Sequence, residues 1–545
     1  MPRVASLVGF TRVARSLVVG VGLVATACGP ARTAGPAPVD PTPVELAAGD
    51  DDGAIDTASE PAPPAAPATP IADAYRDVAA QILTRARGLD GDGGGAGAWA
   101  KLAYLTDRIG NRLSGTKALD RAIAWATQAM KDDGHDVRTE QVMVPRWIRG
   151  AESVTLTAPE PRDVVAIGLG GTVATPKGGV TAPVVVVTSW EDLEARKDQI
   201  AGKIVLYDVP MPAWTEADGN GYGAVVKYRW AGATAAAKHG AVGMMIRSVT
   251  EHGMRLAHTG SMGYDDKVKK IPAVAISVED AAMIHRLTDA GEQVTAKIVT
   301  SGKFAADVAS ANVIGELRGR EHPEQVVVLA AHLDSWDVGQ GAHDDGAGCA
   351  AIMQALTVLR ELGLQPRRTI RVVLYTNEEN GVRGGEAYAA AHKDELADHV
   401  MAIEMDLGGF APWGVEVDDG VGFGATATDD QTARQARGVA RMADVVTLLA
   451  AIGADRAKPG HGGADISALG EAGVPALGLW TDDRTYFDYH HTEADTLDKV
   501  DPAALADDVA ALAVIAYVVA DMPGRLDDAP EAGADGGAAA AGGAG

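Results

Sequence analysis

The chain has 545 residues, 47% of them hydrophobic and 22% charged, enough for a large core and more than one folded unit. Its formal net charge of −26 comes without a Lys/Arg stripe, which argues against nucleic acid as a partner. Two cysteines, Cys28 and Cys349, exclude a disulfide framework.

Arg3, Arg12 and Arg15 precede an apolar run at 17–25 and a small-residue segment ending at Cys28. A basic start, a short apolar stretch and small residues read as an export signal over 1–27. The stretch is short for a transmembrane helix, and no later run reads as a membrane span. Cys28 stands where a bacterial lipobox places its lipidated cysteine. The expectation is an exported protein held to a membrane of the cell envelope through a lipid anchor at Cys28, with a plain secretory signal as the alternative. Residues 28–70 contain ten prolines and read as a disordered tether. Residues 524–545, rich in Gly, Ala and Asp, read as a disordered tail.

The folded body begins near Ile71. Helical periodicity covers 72–86 and 118–131, with a Gly-bounded loop at 105–115 between them. Over 151–302 the texture changes to short Val/Ile-rich runs, at 182–188, 202–207, 243–246 and 271–276, with a helix at 231–239. This is expected to be an inserted β-rich domain, with flanking segments 71–150 and 303–523 forming a single catalytic domain. From Asn312 the pattern repeats as strand, loop and helix. Apolar runs lead to His332, to Glu378-Glu379 and to Asp406; helices are expected at 347–362 and 502–519, and a further strand at 474–480. The fold class is therefore α/β, with a mixed, largely parallel sheet covered by helices on both faces. In open α/β sheets, sites form beyond the carboxyl ends of strands, which is where three of these acidic or imidazole segments fall.

Those segments carry a metal-binding chemistry. His332-Leu-Asp334, Asp344-Asp345, Glu378-Glu379, Glu404-Met-Asp406 and His490-His491…Asp495 supply imidazole nitrogen and carboxylate oxygen, the donors zinc accepts. Two metals sharing a carboxylate need about five such ligands, and a hydrolase needs one more carboxylate as base. His332 and Asp344 flank one loop in which Gly339, Gly341, Gly346 and Gly348 allow tight turns. Glu378 and Glu379 are adjacent on an extended chain, so one is expected to face metal and the other substrate. Asp334 is placed to orient the His332 imidazole. His461 is read as a contact in the substrate cleft and Asp465 as a support behind the site. Cys349 is read as buried packing, His343 as a loop residue, Trp336 as cleft wall or core, and Arg149, Arg247 and His258 as contacts between domains.

The motifs HxD, GAxDD, NEE, ExD and HHTxxDT resemble the co-catalytic zinc exopeptidases of clan MH. The run His332-Leu-Asp-Ser-Trp-Asp-Val-Gly-Gln-Gly-Ala-His-Asp-Asp-Gly346 is closest to the carboxypeptidase Q branch, and the likeness covers about 72–522. The resemblance implies a protease-associated domain as the insertion and two zinc ions per chain. It implies His332, Asp344 and Asp406 on one zinc, and Asp344, Glu379 and His491 on the other. Glu378 would be general base and acid, Asp334 the orienting residue, Asp495 a support near His491, and His490 a contact to the oxyanion. It also implies a cis peptide between Asp344 and Asp345, a peptide substrate and a homodimer. Two other functions are weighed against this reading. A glutaminyl cyclase-like acyl transferase shares the fold but uses one zinc. A non-catalytic receptor or scaffold would have lost ligands that are all present here.

Overall fold

The computed structural model describes residues 69–88, 96–216, 218–422 and 425–528. The signal segment, Cys28, the tether up to residue 68 and the tail from 529 lie outside the described residues. Residues 524–528 do not belong to a tail. Leu526 is buried in the core, and the Arg525 guanidinium donates to the carbonyls of Ala397 and His399 at 3.0 and 3.1 Å.

Two eight-stranded sheets organise the described residues. The first runs, in spatial order, Asp136–Ile148, Lys303–Leu317, Arg368–Tyr375, His322–His332, His399–Glu404, Ala476–Thr481, Pro412–Val417 and Arg456–Pro459. Its four central strands are mutually parallel. The sheet is mixed because the first two strands are antiparallel, as is Pro412–Val417 against Ala476–Thr481. The central strands are buried on both faces, which is why they read as continuous apolar runs rather than alternating ones. Val327, Leu329 and Ala331 face the helices Ala347–Glu361 and Pro502–Asp521, on which helix Pro70–Ala86 packs in turn. Val326, Val328 and Ala330 face Tyr388 and Leu469, on helices Arg383–Ala391 and Ser467–Glu471.

Helix Pro502–Asp521 corrects one expectation. It is long and apolar enough to cross a membrane by length and composition, yet most of it is buried inside the protein. It is a core helix, started by Pro502 in its first turn and by Asp501, whose side chain accepts from the Ala503 N–H. Asp508 on it is buried with both carboxylate oxygens unpartnered, and burial pushes its carboxyl well above the usual range.

The second sheet occupies the inserted segment, between Glu152 and Thr300. Helix Tyr222–Lys238 packs on one face and helix Val278–Asp289 on the other. The helix expected at 231–239 thus starts nine residues earlier. The insertion leaves and re-enters the first sheet at one place, because Ile148 pairs with Lys303 at the end of the long antiparallel ladder Asp136–Ile148/Lys303–Leu317.

Candidate metal centre and catalytic site

Three central strands deliver the predicted ligands. His332 is the last residue of its strand, Glu378-Glu379 follow Arg368–Tyr375, and Asp406 follows His399–Glu404. Asp344 lies on the turn Ala342–Gly346, which enters helix Ala347–Glu361; the Asp344–Asp345 peptide is cis. The turn starts at Gly341 with φ 59°, where a Cβ would come within 2.4 Å of Ser335. Only glycine fits both that backbone and that contact. The buried Arg112 guanidinium holds the same loop, donating to the carbonyls of Leu333, Gln340 and Gly341 at 2.6–3.0 Å. His491, with φ 62°, follows the short helix Tyr486–Tyr489.

The five predicted ligands converge. His332 Nε2 lies 3.1 Å from Asp406 Oδ1 and 3.2 Å from Asp344 Oδ1. His491 Nε2 lies 3.2 Å from Asp344 Oδ2 and 3.1 Å from Glu379 Oε2. Donor atoms about 2.0–2.1 Å from a tetrahedral zinc lie roughly 3.3 Å from one another, so these separations match the edges of such a tetrahedron. The tautomers agree. His332 Nδ1 faces the Asp334 carbonyl at 3.0 Å and His491 Nδ1 faces the Thr259 carbonyl at 3.3 Å. With each Nδ1 on a carbonyl, each Nε2 faces two carboxylates and is the atom that would bind a cation; without one it donates a proton to Asp344. Such a set of acceptors calls for cations, and Asp344 offers one oxygen to each side. Asp345 and His490 also fall in candidate ligand groups. However, the Asp345 carboxylate already accepts from the His332 and Gly348 N–H groups at 3.1 and 3.0 Å. It braces a ligand and starts a helix. The adjacent pair of acidic residues was the only sequence signal for it.

Several expectations change in detail. Asp334 does orient His332, but through its backbone carbonyl; its carboxylate is 4.0 Å from Nδ1. That carboxylate accepts instead from the Glu378 N–H at 3.0 Å and from Ser114 Oγ at 3.1 Å, so it holds the backbone of the predicted base. Glu378 and Glu379 lie on a turn, not an extended chain. Asn377 has φ 68°, and the Glu378 carbonyl accepts from the Gly381 N–H. Glu379 Oε1 accepts from the Trp336 N–H at 2.9 Å and its Oε2 faces His491, and both Glu378 and Glu379 line the cavity. Asp495 does not support His491; its oxygens accept from the His343 and Asp344 N–H groups at 2.7 and 3.2 Å, fixing the Asp344 turn. Asp465 is buried with both oxygens unpartnered, and its N–H lies 3.4 Å from Glu404 Oε1.

His490 stacks on His491, with ring centroids 3.5 Å apart, and its Nε2 is 3.8 Å from Asp344 Oδ2. His490 and His461 both line a cavity of about 880 Å³ together with Asp344, Glu378 and Asp406. Trp336 is core, packed with Leu113 and Trp147. His343 stacks on Phe410 and Cys349 is buried in its helix. Arg149 joins the two sheet units by bonding Asp337, Glu152 and Thr259, while Arg247 pairs with Asp208 inside the insertion. His258 is buried beside the His490–His491 segment, and burial pushes its ring to about pH 3.

Crowded acids set the electrostatics. Burial pushes the Glu378 and Glu404 carboxyls up to about 8, with Asp406 adding to both. Burial also raises Asp344, but its bonds to His332 and His491 outweigh this and hold it well below the usual carboxylate range. Burial lowers His490, which stays neutral.

Residues 312–516 match the model of peptidase family M28. Carboxypeptidase Q of Bos taurus is 39% identical over 429 residues, covering 78% of this chain and 86% of that protein. A crystal structure of a peptidase M28 precursor from Shewanella amazonensis superposes with a TM-score of 0.75 at 36% identity, covering 84% of this chain and 99% of the other. A zinc aminopeptidase from Bacillus subtilis shares the fold, with a TM-score of 0.55 at 22% identity over 80% of this chain and 98% of its own.

Proposed function

The chain belongs to peptidase family M28, and we propose that it is a two-zinc exopeptidase hydrolysing dipeptides or short peptides with Glu378 as the proton-transferring group. A metal-dependent exopeptidase goes with the family. The number of ions and the residue roles are inferred from the site. The observation that carries them is the Asp344 carboxylate, with one oxygen toward the His332–Asp406 set and the other toward the His491–Glu379 set.

His332, Asp344 and Asp406 would hold one zinc, and Asp344, Glu379 and His491 the other. Bound zinc supplies Lewis acidity, lowering the pKa of a water toward ~7 and offsetting negative charge on the carbonyl oxygen. Glu378 takes the proton of the attacking water and returns it to the leaving amine. Asp334, through the Glu378 N–H, and Asn377, through its 3.0 Å bond to Ser114 Oγ, fix the turn that aims this carboxylate. Neutral His490, at the cavity wall, is the residue placed to donate to the tetrahedral oxygen. The shared burial of the cavity among both sheet units, with Tyr222 and Arg229 from the insertion and Trp480 from the first sheet, suits a short substrate rather than a chain passing through.

Zinc content per chain, measured together with dipeptide hydrolysis and turnover of Gln-starting peptides, tests this reading. Two zincs, hydrolysis and no pyroglutamate product are expected. One zinc with cyclisation would replace it by the acyl transferase, and no turnover of any peptide by a scaffold. Two further proposals rest on the sequence and the resemblance: export with lipidation at Cys28, and a homodimer. The mass of the mature N-terminus tests the first, and sedimentation the second.

A further inference from the structure

The two sets of metal-facing side chains are supported differently. Among the described residues, His332 is bonded only within the first sheet unit, with its Nδ1 on the Asp334 carbonyl and its N–H on Asp345. His491 leans on the insertion. Thr259, fully buried there, brackets it with main-chain groups. The Thr259 N–H donates to the His491 carbonyl at 3.1 Å, and the Thr259 carbonyl faces His491 Nδ1 at 3.3 Å. An imidazole that ligates through Nε2 needs an acceptor at Nδ1 to fix its tautomer and ring plane, and for His491 the insertion supplies it. His491 also has φ 62°, a conformation that a residue other than glycine keeps only where its surroundings hold it. The Thr259 N–H is one such hold.

The Thr259 side chain shows how that main chain is kept in place. Its Oγ1 donates to the Gly168 carbonyl at 2.8 Å and accepts from Arg149 Nη2 at 3.1 Å. Arg149 grips the Asp337 carboxylate at two points, through Nε and Nη2, both at 2.8 Å, the strong geometry for this pair. Asp337 lies on the loop between His332 and Asp344. Its neighbour Trp336 donates its N–H to Glu379 and stands edge-on to the His491 ring, with centroids 5.6 Å apart. The insertion's backbone rests directly on that indole, because a Cβ on Gly170 would overlap it. One arginine therefore joins the supports of two ligands facing the same ion, Thr259 behind His491 and the Trp336–Asp337 loop behind Glu379.

We propose that the docked insertion is a working part of the metal centre: the Asp337–Arg149–Thr259 link positions His491 and Glu379 and so sets how tightly the ion on their side is held, while the His332–Asp406 side does not depend on it. Arg149 and Thr259 are positioning residues in this scheme. The inference rests on the two-zinc reading and deepens it, since occupancy of one of the two sites then follows the docking of the insertion.

Zinc affinity, titrated against a chelating indicator, tests it on two backgrounds of the full chain that each keep one side. Asp406→Asn leaves Asp344, Glu379 and His491; His491→Ala leaves His332, Asp344 and Asp406. Adding Arg149→Met is expected to weaken zinc by about 10–100-fold in the first background, the range for losing a partner that orients a ligating imidazole. In the second it should change affinity by no more than about twofold. Thr259→Val should act in the same direction as Arg149→Met, and Thr259→Ser, which keeps the hydroxyl, should leave the affinity of the first background in place. No weakening in the first background overturns the proposal. So does equal weakening in both, which would make Arg149 a general prop of the fold. Hydrogen exchange on the zinc-free protein decides where a background binds no zinc, or where the wild type binds only one and the two-zinc reading itself fails. Arg149→Met should speed exchange across 486–495 and leave 399–405 unchanged. Unchanged exchange at 486–495, or the same rise in both segments, overturns the proposal.

Discussion

Glu378→Gln is expected to lower kcat for dipeptide hydrolysis by about 10²–10⁴-fold, the range for losing a positioned general base and acid, while zinc content stays at the wild-type level. The amide keeps the volume and shape of the carboxyl, and the turn that presents it depends on backbone groups. These are the Glu378 N–H on Asp334 and the Glu378 carbonyl on Gly381, and glutamine leaves both in place. Its side chain is absent from the two sets of mutually facing donor atoms, His332–Asp344–Asp406 and His491–Asp344–Glu379, so metal affinity should not follow the rate. The loss should appear in kcat with KM little changed, because proton transfer is made only on the way to the transition state. Glu379→Gln provides the contrast. It alters a group facing His491 and should lower zinc content along with rate. A Glu378→Gln protein that kept wild-type kcat with full zinc would remove Glu378 from the mechanism and leave the remaining cavity acids as bases to examine.

Much of this site was legible because metal ligands at strand ends leave two coincident marks in a sequence. The apolar run before His332, before Glu378-Glu379 and before Asp406 records a strand buried on both faces, and the acidic or imidazole residue marks where burial gives way to chemistry. The long ladder Asp136–Ile148/Lys303–Leu317 was not legible, since both strands are largely exposed along much of their length and have neither a continuous apolar run nor clean alternation. Side-chain identity also says nothing about which atom acts. Asp334 was expected to orient His332 with its carboxylate, but the backbone carbonyl does this and frees the carboxylate for Glu378. Glu378 and Glu379 are presented by a turn that starts at the left-handed Asn377, which residue spacing does not reveal. Arg229 lay furthest from view. It sits over a hundred residues before the first ligand, on a helix in another sheet unit, and only the packing of the insertion against the Tyr486–Tyr489 segment brings it to the cavity.

Metal removal is expected to make stability fall with rising pH between about 5 and 8, in a protein whose zinc-loaded form is much less sensitive across that window. The apoprotein buries Asp344, Asp345, Glu379, Glu404 and Asp465 beside Glu378 and Asp406, against two facing imidazoles. Burial, with their neighbours' charges, pushes Glu378 and Glu404 up to about 8 in the fold, against about 4.3 for a free glutamate. These acids therefore hold more protons in the folded apoprotein than in the unfolded chain through this range. Stability that is fully present below the unfolded value is lost as pH climbs toward the folded one. Bound dications reverse the balance by favouring the carboxylates, so that ligands bind as bases and binding releases protons. Thermal melts of chelator-treated and zinc-saturated protein at pH 5.5, 6.5 and 7.5 should show a Tm gap that widens at each step, with the apoprotein's own Tm falling. An apoprotein Tm that is flat or rising over these three pH values would mean that the acids are already compensated without metal. The crowded acids around His332 and His491 would then no longer require cations to explain how they are held.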